Sequence, residues 1–140
     1  MLLAVDPGMR KAGYAALDAE GRVVAAGIEP LERLRERVGA LIAELAVDRL
    51  ALGRGTNARA VAGLLGGFGL PLHHVDEFET TRRARELYFS EHPPRGLRRL
   101  LPAGLQVPPR PIDDYAAILI GRRFLAEGGE GKTSKLKPPS

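Results

Sequence analysis

Five acidic residues stand where carboxylates can do chemistry. Asp6 ends an unbroken apolar run, Asp76 and Glu77 end another, and Asp113 and Asp114 open the last amphipathic segment of the chain. In α/β sheets the carboxyl ends of strands are where ligands bind, so position and residue type point the same way. Carboxylates brought together repel unless a cation joins them, and an all-oxygen donor set favours the hard ions Mg²⁺ or Mn²⁺. Each acid also has an ordinary alternative. Asp6-Pro7-Gly8 has the composition of a turn, Asp76 and Glu77 can simply precede a helix start, and Asp113 can cap its own helix.

The elements that must position these acids follow from hydrophobic period. Residues 1–5 suit a central strand buried on both faces, and residues 13–17 and 23–28 suit two more, joined by the turn Asp18-Ala19-Glu20-Gly21. The period then changes: Leu31, Leu34, Val38, Leu41, Ile42 and Leu45 share one helical stripe, and Pro30 opens it. Residues 49–52 form a short strand, 57–65 a small helix ended by Gly66 and Gly67, 70–75 a strand, 80–90 a helix and 112–127 the last helix. At the helical period, Ile112, Ala116, Ala117, Leu119, Ile120 and Phe124 define that helix's core-facing stripe. Asp113 falls within it and Asp114 at its edge. The order β-β-β-α-β-α-β-α-α predicts an α/β domain over residues 1–127. Its five-stranded mixed sheet has the first strand central, three antiparallel N-terminal strands and helices on both faces, which is the element order of the ribonuclease H-like fold. Residues 91–111 carry six prolines, too many for regular structure, and a loop that long is usually functional. Residues 128–140 predict a flexible basic tail.

Composition narrows the function. The chain has 140 residues, 44% hydrophobic and 27% charged, which suits one globular domain. No run approaches the roughly 18 apolar residues of a membrane span, and no leader pattern opens the chain, so a cytoplasmic protein without a membrane partner is expected. With no cysteine there is no disulfide, thiol nucleophile or cysteine-ligated zinc. Arginine provides 17 of the 21 basic residues, and seven of them (82, 83, 85, 95, 98, 99 and 110) face only Glu86 and Glu91 between residues 82 and 110. The planar arginine fork matches phosphate, so this surplus suits a polyanion, although a solvated basic surface has the same composition.

Two sequence stretches bring a resemblance. The opening Leu2-Leu3-Ala4-Val5-Asp6-Pro7-Gly8-Met9-Arg10-Lys11-Ala12-Gly13-Tyr14 resembles that of RuvC-like resolvases, and sugar kinases and actin-like ATPases open similarly. Asp76-Glu77-Phe78-Glu79-Thr80-Thr81 with Ala84-Arg85 is followed by Pro94-Arg95-Gly96-Leu97-Arg98-Arg99-Leu100-Leu101-Pro102. With the later Pro108-Pro109-Arg110-Pro111-Ile112-Asp113-Asp114-Tyr115-Ala116-Ala117, these segments look like the YqgF/RuvX family. That family is described as Holliday-junction resolvases and is implicated in maturing the ends of pre-16S ribosomal RNA. The resemblance spans residues 1–127 and implies Asp6, Glu77 and Asp113 as metal ligands and catalytic residues, with Asp76 and Asp114 as supporting or alternate ligands. Two departures stand out. Gly53-Arg54-Gly55-Thr56 lacks the glutamate that the resolvase proper carries after its fourth strand, and Phe78 replaces a basic residue often found there.

The chemistry so implied is phosphodiester hydrolysis, in which two divalent ions about 3.5–4 Å apart activate water and stabilise the departing oxygen. Arg95, Arg98 and Arg99 would grip the backbone, with Arg10, Lys11, Arg54, Thr56, Arg82, Arg85 and Arg110 as further nucleic-acid contacts. The Gly-x-Gly-Thr segment is a weak phosphate motif, and a structural turn is the stronger reading of it. At least one of His73 and His74 is expected to pack within its strand, and His92 is the better proton carrier. Pre-16S ribosomal RNA and branched DNA both remain open as substrates, and the protein is expected to be a monomer or a homodimer. Two rival classes also stand: a kinase-like phosphotransferase, which would need a second such domain, and a non-catalytic nucleic-acid-binding module, which would need no converging acids.

Overall fold

A computed structural model of the chain describes residues 1–55, 57–76, 80–93, 100, 108 and 110–128, with only the backbone at 80 and 81. Its elements are β1 (Leu2–Asp6), β2 (Lys11–Leu17), β3 (Val23–Pro30), α1 (Leu31–Leu45), β4 (Arg49–Gly53), α2 (Ala58–Leu65), β5 (Leu72–Val75), α3 (Thr80–Glu91) and α4 (Asp113–Ala126). The strands form one sheet in the order β3-β2-β1-β4-β5. β1 pairs antiparallel with β2 and parallel with β4, β2 antiparallel with β3, and β4 parallel with β5. The α/β class, the central first strand and the antiparallel start are as the sequence predicts. Most of the proline-rich segment and the tail beyond residue 128 lie outside the described residues.

β1 is central because nothing in it objects to burial: Leu2, Leu3, Ala4 and Val5 are fully buried. Alternation along the strand divides them between two cores. Leu2 and Ala4 join Ala15, Leu17, Ala51 and Val75 beneath α4 and α3. Leu3 and Val5 join Ala12, Tyr14, Leu50 and Leu52 beneath α1 and α2. Between β2 and β3 the expected turn forms, with the Asp18 carboxylate accepting the Glu20 and Arg22 amides at 2.9 Å each. Gly21 takes φ +81 there, a conformation that a side chain would strain.

Helix α1 starts directly after Pro30 and buries Leu34, Val38 and Leu41, three of its predicted stripe. Helix α4 departs further from expectation. Leu119 is only partly buried, whereas Tyr115, Ile118 and Gly121 are buried as well. One stripe could not account for this, because α4 has two neighbours: the sheet on one side and α3 on the other, where Tyr88 meets Tyr115 edge-on at 5.5 Å. Among the described residues no helix is long and apolar enough to cross a membrane.

Candidate active site

The site begins at the register between β1 and β2. Asp6 pairs with Gly13, and directly opposed residues in an antiparallel pair share a face of the sheet. Continuing the alternation of Leu2 and Ala4, Asp6 belongs to the face covered by α4. Gly13 lies beneath the first turn of that helix. A Cβ built on Gly13 would overlap the Asp113 carbonyl carbon and oxygen, with the Asp114 nitrogen also inside contact distance. Further along, Gly121 lets α4 settle on Leu17 and Ala4 in the same manner. Two residues 107 positions apart in sequence, Asp6 and Asp113, are thereby brought to one corner of the sheet.

Among the described residues Asp113, Asp76 and Asp114 each face a cation. Lys11 Nζ, two residues from Gly13 on the same face of β2, lies 3.7 Å from Asp113 Oδ2. Arg54 extends the ladder from its backbone amide to the Val75 carbonyl at 2.9 Å, and its Nε sits 3.1 Å from Asp76. Arg110 spans both carboxylate oxygens of Asp114 at 3.3 Å and lies over the rings of Tyr88 and Tyr115 at 5.5 Å. That bond to Asp114 outweighs burial and holds Arg110 above its ordinary pKa.

Exposure departs from the helical wheel here. The Asp113 side chain is 35% exposed and that of Asp114 13%. The wheel is right about the backbone, which faces Gly13, but the first turn overhangs the end of the sheet and lifts its carboxylate to the rim. Asp114 is the more covered because Arg110 and the two tyrosines close over it.

The surroundings hold this corner in place. The Asn57 side chain donates to the Gly8 carbonyl at 2.9 Å, tying the loop after Asp6 to the start of α2. The Tyr115 hydroxyl donates to Glu91 at 2.8 Å and binds α4 to the end of α3. Burial, helped by that bond, pushes the Tyr115 pKa up to about 12. His73 is buried and stacks on Phe124 at 4.8 Å, as one of the paired histidines was expected to pack. Burial lowers the His74 pKa, and the Arg54 charge adds to the effect. His92 is exposed, with its ring 4.7 Å from that of Tyr88. Arg10 and Arg82 are exposed, Arg82 lying 3.9 Å from Glu86, and Arg85 is half-buried. Thr56, Glu77, Arg95, Arg98 and Arg99 lie outside the described residues.

The donors suit a hard divalent cation in kind, since Asp6 and Asp113 offer only oxygen. Among the described residues no three acids or histidines group closely enough to hold one. Asp6 and Asp113 are two of the three expected ligands, and Glu77 is the third.

With this geometry in view, solved structures give a clear likeness. A Thermus thermophilus RuvC structure matches at TM-score 0.54 over 95% of this chain and 99% of its own, with 18% identity. The fold is RuvC-like, of the ribonuclease H class. A transcriptional regulator of the ROK family, a homologue of the E. coli MLC protein, gives a TM-score of 0.42 and 14% identity. That match covers 62% of this chain and 30% of the regulator, too slight to bear on fold or function. No family model matches the chain, and no curated protein matches its sequence. The RuvC likeness therefore speaks for the fold, and the chemistry rests on the residues.

Lys11, Arg54 and Arg110, expected as phosphate contacts, each also face an acid of the candidate set, which sequence reasoning missed. The signal was present for Arg110 and Asp114, four residues apart at a helix start. For Lys11 and Arg54 it required the strand register. Gly13 and Asn57 were equally invisible as site-building residues.

Proposed function

We propose that this chain is a metal-dependent nuclease that hydrolyses phosphodiester bonds of structured nucleic acid, with the ends of pre-16S ribosomal RNA as its substrate. The observation that carries the reading is the placement of Asp6 and Asp113 on either side of Gly13, where a side chain would separate them. Both are acids of a fold whose RuvC likeness spans nearly the whole chain.

Asp6, Glu77 and Asp113 would hold one or two Mg²⁺ or Mn²⁺ ions. Bound there, such ions supply an activated water and charge stabilisation at the departing oxygen. The chain's own residues do the rest. Val75 joins the α4 face, and Asp76 after it lines a cavity with Arg83 and with Leu119 and Ile120 of α4; the family resemblance is what puts Glu77 ahead of Asp76 as a ligand. Asp76 is engaged by Arg54 and Asp114 by Arg110, which suits supporting roles for both acids. Lys11, 3.7 Å from Asp113, would orient it until substrate and metal arrive. Arg10, Arg54, Thr56, Arg82, Arg85, Arg95, Arg98, Arg99 and Arg110 would contact phosphates, a sequence-independent term that weakens steeply with salt.

A second reading, cleavage of branched DNA as a Holliday-junction resolvase, is favoured by the RuvC structure as fold neighbour. The deciding experiment incubates the wild type and Asp113→Asn with labelled single-stranded RNA and with a four-way DNA junction, each with Mn²⁺ or with EDTA. Metal-dependent RNA cutting that Asp113→Asn abolishes supports the ribonuclease. Paired symmetric nicks in the junction support the resolvase. Binding of both without cutting of either would overturn catalysis and leave a binding module.

A further inference from the structure

A groove between α3 and α4 adjoins the candidate acids and has no part in the chemistry described above. It holds about 420 Å³, and its lining includes Asp76 at the end of β5, Arg83 of α3, and Leu119, Arg122, Arg123 and Ala126 of α4. That volume falls within the range of small-ligand sites.

The lining is of two kinds. Leu119 lies on the predicted core stripe of α4 yet is only half-buried, and Ala126 is exposed. Together they leave apolar surface open to solvent inside the groove. Beside it stand three guanidinium groups. Arg123 is answered by Glu127, whose carboxylate lies 3.1 Å from its Nε. Arg122 donates from Nε to the neutral Gly21 carbonyl at 3.0 Å, which fixes the side chain without cancelling its charge. Among the described residues neither Arg83 nor Arg122 has an ion-pair partner. The acid in the lining, Asp76, already faces Arg54 at 3.1 Å.

Apolar surface beside unanswered arginine is the combination that an unpaired nucleotide needs. Its base seeks an apolar or stacking contact, and its phosphate seeks a cation. A continuous duplex hides the faces of its bases and presents phosphates alone, so the apolar part of the groove would gain nothing from it.

We propose that this groove binds an unpaired nucleotide of the substrate strand beside the point of cleavage, so that the protein selects nucleic acid with a single-stranded flank over continuous duplex. The inference rests on the nuclease reading, which makes a nucleic acid the ligand. A strand is favoured over a free nucleotide because Asp76 in the lining is the neighbour of Glu77, an expected metal ligand. Arg83 and Arg122 hold the phosphates on either side of the base, and Leu119 and Ala126 meet its face. Arg54, by facing Asp76, offsets the one charge of the lining that would repel the strand.

The full chain would be titrated in EDTA, to withhold metal, against a labelled blunt RNA hairpin and the same hairpin with a short single-stranded extension. Fluorescence anisotropy reads binding, and circular dichroism verifies the fold of each variant. The wild type should bind the extended hairpin about tenfold more tightly, the scale of one base contact. Ala126→Trp fills the groove without changing its charge and should erase most of that preference while leaving the blunt hairpin's affinity as it is. Arg83→Gln should reduce the preference about three- to fivefold. Arg59→Gln removes the same charge from α2, across the sheet, and should leave the preference intact. Equal affinity for the two hairpins in the wild type overturns the proposal. So does a preference that both groove variants leave untouched, or that Arg59→Gln lowers as much as Arg83→Gln. Adenosine monophosphate binding as tightly as the extended hairpin would make this a free-nucleotide site and also overturn it. Cleavage is scored separately with Mn²⁺. Cutting without preference for the extension overturns the groove and leaves the nuclease, whereas preference without cutting supports the groove and overturns the nuclease. Binding of neither hairpin overturns both.

Discussion

The carbonyl of Asp113 rests where the side chain of residue 13 would be, and Gly13 in turn is the register partner of Asp6. The site is thus assembled by a missing side chain. A strand residue without a Cβ lets the start of α4 come down onto the sheet beside the register partner of Asp6.

Gly13→Ala should therefore be costly in a way that glycine substitution elsewhere is not. Overpacking at a tight contact costs about 1–3 kcal/mol, and the helix start must also move. The expected result is a lower urea midpoint together with loss of metal-dependent cleavage. Gly63, in the middle of α2 with open space where its Cβ would be, provides the opposite case. Gly63→Ala should raise stability by roughly 0.5–1 kcal/mol and leave cleavage alone. Equal effects at the two positions would contradict the close approach at Gly13.

Lys11 competes with any other cation for Asp113. Removing its charge in Lys11→Met should tighten Mn²⁺ binding to the nucleic-acid-free protein by about two- to fivefold, the scale of a half-exposed ion pair. Titration calorimetry without nucleic acid reads this directly. An unchanged or weakened affinity would mean that metal and lysine do not share the carboxylate.

Acidification should cost stability through His74. Its pKa is lowered by burial and by Arg54, so the unfolded chain binds the proton more readily than the folded one. The folded state loses ground as pH falls through the ordinary histidine value near 6.5 and continues to lose until the lowered folded value is passed. Thermal midpoints measured from neutral pH downward should fall more steeply in the wild type than in His74→Gln. Parallel curves would contradict this.

Tyr115 should ionise above the usual tyrosine range. Burial and its bond to Glu91 push it up to about 12, so ultraviolet titration should show a tyrosinate step near that pH. Tyr115→Phe should remove that late step and cost about 1 kcal/mol, the net worth of an ordinary hydrogen bond. A late step that survives the substitution would assign it to Tyr14 or Tyr88.

Where one physical signal dominates a segment, the sequence is enough to read it. The unbroken run before Asp6 marks a doubly buried strand, and α1 shows its stripe because the sheet and α2 meet it in one shared core. α4 is harder, since α3 buries a second flank that no single wheel can display. β2 begins at Lys11, two residues before its apolar pattern, because Lys11 and Ala12 pair with Pro30 and Glu29. The proline is tolerated because it stands at the last position of an edge strand. The acids of the candidate site stand out by type and position. Their partners do not, because Lys11, Arg54 and Arg110 find Asp113, Asp76 and Asp114 only after strand register and helix docking are set.

The central claim is that Asp6 and Asp113 act together on a metal ion, and Asp6→Asn tests it most directly. Mn²⁺ affinity and cleavage would be measured on the same preparation as the wild type, with nucleic-acid binding followed in parallel. The account predicts that metal binding and cleavage are lost together while the nucleic acid is still bound. Cleavage persisting in Asp6→Asn, or in the wild type with EDTA, would contradict it.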